Sequence, residues 1–390
     1  MRIGVNCFIL SENMGGLRQY FHRLFRELLA SDQKNSYVFF YFEHNIKEME
    51  HIGDERWKKD AILLKDQQDV LNHIDLIDLY FCPFGALWPR PVPVPSVVML
   101  VDIQEKYYPE FFSKEDMWSR DYHYEASTRT ADQVITISEF SKESIAHYHG
   151  ISRQKIHVAY LAADESFYLP LAPNQKINLP LPEHYIFYPA NRWFHKNHDN
   201  LLKALHELKN SHGLLVNCVL TGFDYEGGYP LNKKIMEYRL EDQVKVIGYV
   251  TSEEIKHIYS KAKMLCFPSL FEGFGMPPVE SMAIGCPVVC SNTTSLPEVV
   301  GDAALLFDPK NPWEIAGKIK AVWTDESLRQ RLIAAGKKQA RKFSAKNTAA
   351  VHIAAFERAA MSYRQKRYWY YKYIYESVHR FRMFCKKSFE

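Results

Sequence analysis

With 390 residues and 47% hydrophobic content, the chain exceeds the size at which a single core stops growing, so two domains are expected. Forty-nine Lys and Arg against 46 Asp and Glu leave a net charge of only +3, which offers no global footprint for nucleic acid and excludes it as an expected partner. The seven cysteines are odd in number, scattered, and mostly set in apolar runs such as "MLCF" and "PVVC". Buried thiols in a reducing compartment fit this pattern; a disulfide framework or a zinc site does not.

In chain order, "RIGVNCFIL", "SENMGG" and "LRQYFHRLFRELLA" read as strand, glycine turn and amphipathic helix, with Leu17, Phe21, Leu24 and Leu28 on one face. The opening apolar run is short and no small-residue cleavage site follows, so a cytoplasmic location is expected. Nowhere do eighteen consecutive apolar residues occur, so no bilayer-spanning helix is expected. Further strands are predicted at 37–42, 76–83, 96–102, 133–138 and 155–161, several of them apolar throughout, as a parallel sheet covered on both faces requires. Pro170, Pro173, Pro180 and Pro182 then interrupt the pattern. We place a domain boundary there, giving an N-terminal domain over 1–174, a C-terminal domain over 175–355 and a tail over 356–390.

The second half repeats the alternation, with strands in "YIFYPA", "LLVNCVLTG", "QVKVIGYV", "MLCFPS", "PVVCSN" and "AALLFD". Thr251 and Glu254 form a capping box, Asn311 with Pro312 opens the next helix, and Ser138 caps a helix in the first half. The expected class is α/β, with two doubly wound domains of Rossmann type.

Residues 267–292, "FPSLFEGFGMPPVESMAIGCPVVCSN", place Glu272 and Glu280 around a stiff glycine and proline turn between a strand and a short helix. The carboxyl end of a strand facing a helix N-terminus is where open α/β sheets bind ligands, and free N–H groups there favour phosphate. Gly273 and Gly275 allow close approach of backbone to ligand. Glu280 is expected in the first helical turn, and Gly285 ends the helix.

The stretch from "FEGFGMPPVESMAIG" to "EVVGDAALLFDP" resembles the retaining glycosyltransferases of the GT4 type (glycosyl transferases group 1), which have the GT-B fold of two Rossmann-like domains facing across a cleft. The resemblance implies an enzyme that moves a hexosyl group from a nucleotide-diphosphate sugar to a hydroxyl of a glycan or lipid-linked glycan, as in surface polysaccharide assembly. It implies that Glu272 contacts the transferred sugar near the reacting carbon and that Glu280 holds the nucleotide ribose. "YPANRWFHKNHDN" resembles the family segment that clamps the donor diphosphate, which assigns that role to Lys196 and Arg192. The resemblance also implies that the loop Gly273, Phe274, Gly275, Met276 and Pro277 lies in the donor site, with amides at 274–278 expected to face the leaving phosphate. Gly15 and Gly16 match the family's glycine turn over the donor phosphates and beside the acceptor site. Asp102 is expected to line the sugar pocket, although Val101 stands where many relatives have histidine.

No Asp-x-Asp pair occurs in the sequence, so a metal-independent reaction is expected, with no cofactor beyond the sugar nucleotide and the departing diphosphate neutralised by protein groups. The pairs His195/His198 and His147/His149 read as exposed helix-end residues, not metal ligands. Two alternatives stay open: a hydrolase or epimerase acting on a nucleotide sugar, and a non-catalytic binding partner of the same fold. For the basic, aromatic tail two readings also stand. It packs back on the N-terminal domain as a terminal helix, or it holds the protein peripherally on an anionic membrane surface through Lys372, Arg380, Arg382, Lys386 and Lys387.

Overall fold

The computed structural model describes residues 1–52, 55–171, 179–225 and 227–389. They form two compact units: residues 1–161 with 344–390, and residues 162–343. The boundary expected at 174/175 lies outside the described residues, and the chain divides earlier, at 161/162. The second one, expected at 355/356, falls inside the helix Ala345–Ser362, and the chain divides before that helix, at 343/344. The reason is its buried face: Phe356 meets Phe81 edge-on with ring centroids 5.2 Å apart, and His352 accepts the Tyr20 hydroxyl at 2.5 Å. These partners belong to the first unit, so the helix does too.

The first unit holds a seven-stranded parallel sheet: β1 Arg2–Asn6, β2 Ser36–Tyr41, β3 Ala61–Leu63, β4 Leu79–Cys82, β5 Ser96–Met99, β6 Gln133–Thr136 and β7 Ile156–Val158, in the order β3-β2-β1-β4-β5-β6-β7. The second holds six parallel strands: β8 Tyr185–Pro189, β9 Asn217–Thr221, β10 Val244–Gly248, β11 Met264–Phe267, β12 Val288–Ser291 and β13 Ala304–Phe307, in the order β10-β9-β8-β11-β12-β13. The central strands β4, β5, β11 and β12 are buried along their whole length, which explains their unbroken apolar sequences. Strand β3 went unforeseen because it has three residues at a sheet edge, too few to show a period. In each sheet the order reverses beside the first strand, between β1 and β4 and between β8 and β11. That reversal is the topological switch point at which doubly wound sheets open a crevice for ligands.

The local expectations hold at the helix ends. Ser138 accepts from the Ser141 amide at 3.0 Å, Thr251 and Glu254 make the reciprocal capping box, and Asn311 accepts from the Trp313 and Glu314 amides. Cys7, Cys82, Cys218, Cys266, Cys286 and Cys290 are buried free thiols; the Cys385 side chain lies outside the described residues.

One histidine of the first unit departs from the expected exposure. His149 is buried against Thr128 Oγ1 at 2.8 Å, and burial lowers its pKa to about 3. His352 is buried too. Its Nδ1 donates to the Thr348 carbonyl at 2.7 Å, so Nε2 is the acceptor for Tyr20, and burial lowers its pKa to about 4. Both stay neutral in the fold, whereas an unfolded histidine gains a proton near pH 6.5. Stability therefore falls as pH drops below 6.5, and continues to fall until the folded values are reached. Each histidine is expected to cost about 1 kcal/mol between pH 7 and 5.5. Urea unfolding of the wild type and of His352→Gln across that range checks this. The variant should show a shallower pH slope, and an identical slope would count against the assignment.

Candidate functional site

The switch point of the second sheet lies between neighbouring strands β8 and β11, paired in register at Ile186 with Met264 and Phe187 with Leu265. Beyond β8 the chain makes a 3₁₀ turn over Phe194–Lys196, takes a left-handed step at Asn197 (φ 59°) and enters the helix His198–His212. Asparagine tolerates that backbone better than most residues. Its amide also fastens the turn, donating to the Pro268 carbonyl at 2.9 Å and the Pro309 carbonyl at 2.7 Å. The loop after β8 is thereby tied to those after β11 and β13. Two more bonds fix its end: Tyr188 donates its hydroxyl to the Lys196 carbonyl at 2.6 Å, and the Leu270 amide donates to the His195 carbonyl at 2.8 Å.

From this turn Lys196 Nζ reaches Glu272 Oε1 at 2.6 Å, with both side chains largely buried, at 19% and 13% exposed. Glu272 is held from the other side. Its amide donates to Thr294 Oγ1 at 3.2 Å, and Ser295 Oγ lies 2.8 Å from the Glu272 carbonyl and 3.0 Å from that of Phe274. Gly275 has φ 101°, and a Cβ there would stand 2.6 Å from Leu296 Cδ2, so both backbone and space require glycine. The helix Met276–Ile284 follows and ends at Gly285 with φ 89°, as expected.

Two expectations about this helix are corrected. Because it begins at Met276, Glu280 lies beyond the first turn, where Tyr259 approaches its Oε2 at 3.4 Å. The amides at 274–278 reduce to those of Phe274, Gly275 and Met276, since Pro277 and Pro278 carry no N–H. Arg192 forms an ion pair with Asp224 while its backbone carbonyl accepts from the Tyr229 amide at 2.7 Å. The structure therefore brings together Lys196, Glu272 and Gly273–Pro277 but directs Arg192 to a carboxylate of its own.

His195 and His198 are not exposed helix-end residues either. Burial, followed by the Lys196 ammonium, lowers His195 to about 2 and His198 to about 4. Both rings are neutral, and His198 packs against Tyr188 and Tyr229. Asn197, Thr294 and Ser295, which position the pair, escaped the sequence reading. The polar run Asn292–Ser295 directly after a buried strand was the available signal. Among the described residues no group of three or more His, Cys, Asp or Glu could hold a metal ion.

The remaining predicted residues belong to the first unit. Gly15 has φ 54° and precedes the helix Gly16–Ser31, and a Cβ at either glycine would meet nothing within 4 Å. Gly15 thus answers a backbone need, whereas Gly16 leaves open space. Asp102 follows β5 and accepts from the Gln104 amide at 3.4 Å. Thr136 donates to the carbonyl of Val101 at 3.1 Å.

Solved structures share the fold. HepE of Anabaena, in complex with UDP and glucose, superposes with a TM-score of 0.68 at 18% identity, covering 91% of this chain and 98% of that one. Sucrose-phosphate synthase from Thermosynechococcus elongatus gives 0.72 at 17% identity, covering 93% and 100%. Sequence relatives are nearer. The chain is 31% identical to O-antigen chain mannosyltransferase B of Escherichia coli over 67% of this chain and 70% of that protein. It is 30% identical to O-antigen chain mannosyltransferase RfbU of Salmonella typhimurium over 57% and 60%. The model of the glycosyl transferases group 1 family matches residues 173–339, the segment that contains the paired Lys196 and Glu272. The chain is therefore a member of the glycosyl transferases group 1 family, with the two parallel sheets of the GT-B fold.

Proposed function

We propose that this protein is a retaining mannosyltransferase that moves mannose from a nucleoside-diphosphate donor to a hydroxyl of a surface-polysaccharide glycan carried on a lipid. The observation that carries this reading is the Lys196–Glu272 pair, 2.6 Å apart at the switch point of the second sheet. One group can meet a diphosphate and the other a sugar in adjoining places. The names of the two mannosyltransferase relatives support the choice of sugar.

In the reaction the bond from the sugar's anomeric carbon to the diphosphate oxygen breaks, and the acceptor oxygen bonds to that carbon on the same face. The acceptor proton leaves on the departing phosphate. Lys196 and the amides of Phe274, Gly275 and Met276 would neutralise the phosphate, and Glu272 would face the positive charge that develops on the sugar. Donor phosphate would compete with Glu272 for the Lys196 ammonium, so binding would release the carboxylate toward the sugar. Glu280 takes the ribose hydroxyls, and Arg192 joins the clamp by exchanging Asp224 for phosphate. For Asp102, Gly15 and Gly16 we keep the roles implied by the family resemblance.

The test incubates the protein with a panel of nucleoside-diphosphate sugars and lipid-linked glycans, with and without EDTA, and reads products by mass spectrometry and anomeric NMR. Mannose should be transferred only when acceptor is present, with the donor's anomeric configuration kept and with chelator making no difference. Donor breakdown without acceptor would instead identify a hydrolase. Activity lost in EDTA and restored by manganese would overturn the metal-independent mechanism.

A further inference from the structure

The carboxyl-terminal segment is helical from Gln365 to Phe389, with a wider π turn over Tyr371–Tyr375. One side of it is consumed by the first unit. Tyr371 donates to the Arg129 carbonyl at 2.9 Å, Glu376 accepts from Arg90 Nε at 2.5 Å, and His379 Nε2 lies 3.2 Å from the Tyr122 carbonyl. Met383 is buried on the same side. Packing on the N-terminal unit is thus real, but it accounts for only one face.

The other face is apolar and open. Tyr370, Tyr373, Ile374, Val378 and Phe381 recur every few residues and are each between 50% and 70% exposed. A helix stripe of this kind on a water-soluble surface is a mark of an interaction site. The charges along it have one sign. Between Arg364 and Phe389 the sequence contains a single carboxylate, Glu376, and that one is buried on Arg90. Glu376 also stands 4.0 Å from Arg380 Nε, so within residues 364–389 no second carboxylate offsets the exposed Lys372 or the further basic residues Lys366, Arg367, Arg382, Lys386 and Lys387, whose side chains lie outside the described residues. Lys372 Nζ sits 5.4 Å from the Trp369 ring centroid and 5.5 Å from that of Tyr373, so ammonium and aromatic rings are presented together.

We propose that this face seats on the surface of an anionic lipid bilayer. Tyr and Trp favour the headgroup region, aliphatic and Phe side chains favour the acyl boundary beneath it, and each basic residue adds attraction to anionic lipid. A second copy of the same face would bring like charges together, which disfavours self-association. Among the described residues no helix is long and apolar enough to cross a membrane, so the attachment is to the surface.

The test uses the full chain and does not depend on transferase activity. Co-sedimentation is measured with vesicles of phosphatidylcholine alone and of phosphatidylcholine with phosphatidylglycerol, at low and high salt. The double variant Ile374→Ser/Phe381→Ser is compared, with its thermal unfolding recorded to establish that the fold is kept. The wild type should sediment with the anionic vesicles at low salt and less at high salt, and the variant should bind about a hundredfold more weakly. A wild type that stays in the supernatant with anionic vesicles at low salt overturns the proposal. So does a folded variant that binds within about threefold of wild type, or equal binding to the two vesicle types. Dimers in light scattering that the double variant abolishes, without vesicle binding, would assign the face to a second copy instead.

Discussion

Glu272→Gln should lower the rate of sugar transfer by about a hundredfold or more while leaving nucleotide binding nearly unchanged. The substitution keeps the shape of the side chain and an oxygen that can still accept from Lys196 Nζ, now 2.6 Å from Oε1. The loop should also hold, because Thr294 and Ser295 fasten it through the backbone of Glu272 and Phe274. What disappears is the negative charge, in a place where both partners are largely shielded from water. A charge that acts on the developing oxocarbenium ion and not on the bound substrate should appear in kcat more than in KM. Calorimetric titration with the free nucleoside diphosphate, alongside steady-state rates, separates the two effects. Near-normal turnover would refute the role given to Glu272, and lost nucleotide binding would show that the carboxylate mainly supports the donor clamp.

The second large effect concerns the fold. Arg90, with a side chain 0% exposed, is held by Glu376, with Ser127 Oγ at 3.4 Å and the His123 carbonyl at 3.5 Å from its Nη1. Glu376→Ala leaves the guanidinium buried without its carboxylate. Such a loss typically costs about 3–5 kcal/mol. Truncating both partners to apolar residues, as in Arg90→Met/Glu376→Leu, should recover much of this, because no uncompensated charge remains. Urea unfolding measures the loss, and hydrogen exchange along 365–389 shows whether the helix detaches first. A cost below about 1 kcal/mol would mean that the guanidinium finds water or another acceptor easily.

The two predictions also mark where local pattern stops being informative. Strands such as Met264–Phe267 and Val288–Ser291 were legible because a buried parallel strand must be apolar on both faces and must end at turn residues. Glu272 and Lys196 were legible as members of a family motif, and Gly285 as the end of the helix that follows; the φ of 101° and the nearness of Leu296 that require glycine at 275 were not. The sequence thus determined the class of fold and singled out the loop that carries Glu272. Their meeting was not legible: Lys196 and Glu272 stand 76 positions apart, and they touch only because the sheet sets β8 beside β11. Asn197 was not legible either, since nothing in its neighbours reveals a left-handed step anchored to Pro268 and Pro309. The same holds for Arg192, whose Asp224 partner comes from the loop after a different strand, and for the helix at 345–362, assigned to its unit by Tyr20 and Phe81. In the tail, composition displayed the aromatic and basic residues, but Arg90 decided which side of the helix turned inward. Periods of 2 and 3.6 state that a side chain is buried or exposed. Which group it meets depends on contacts between distant segments, and those exist only once the sheets have formed.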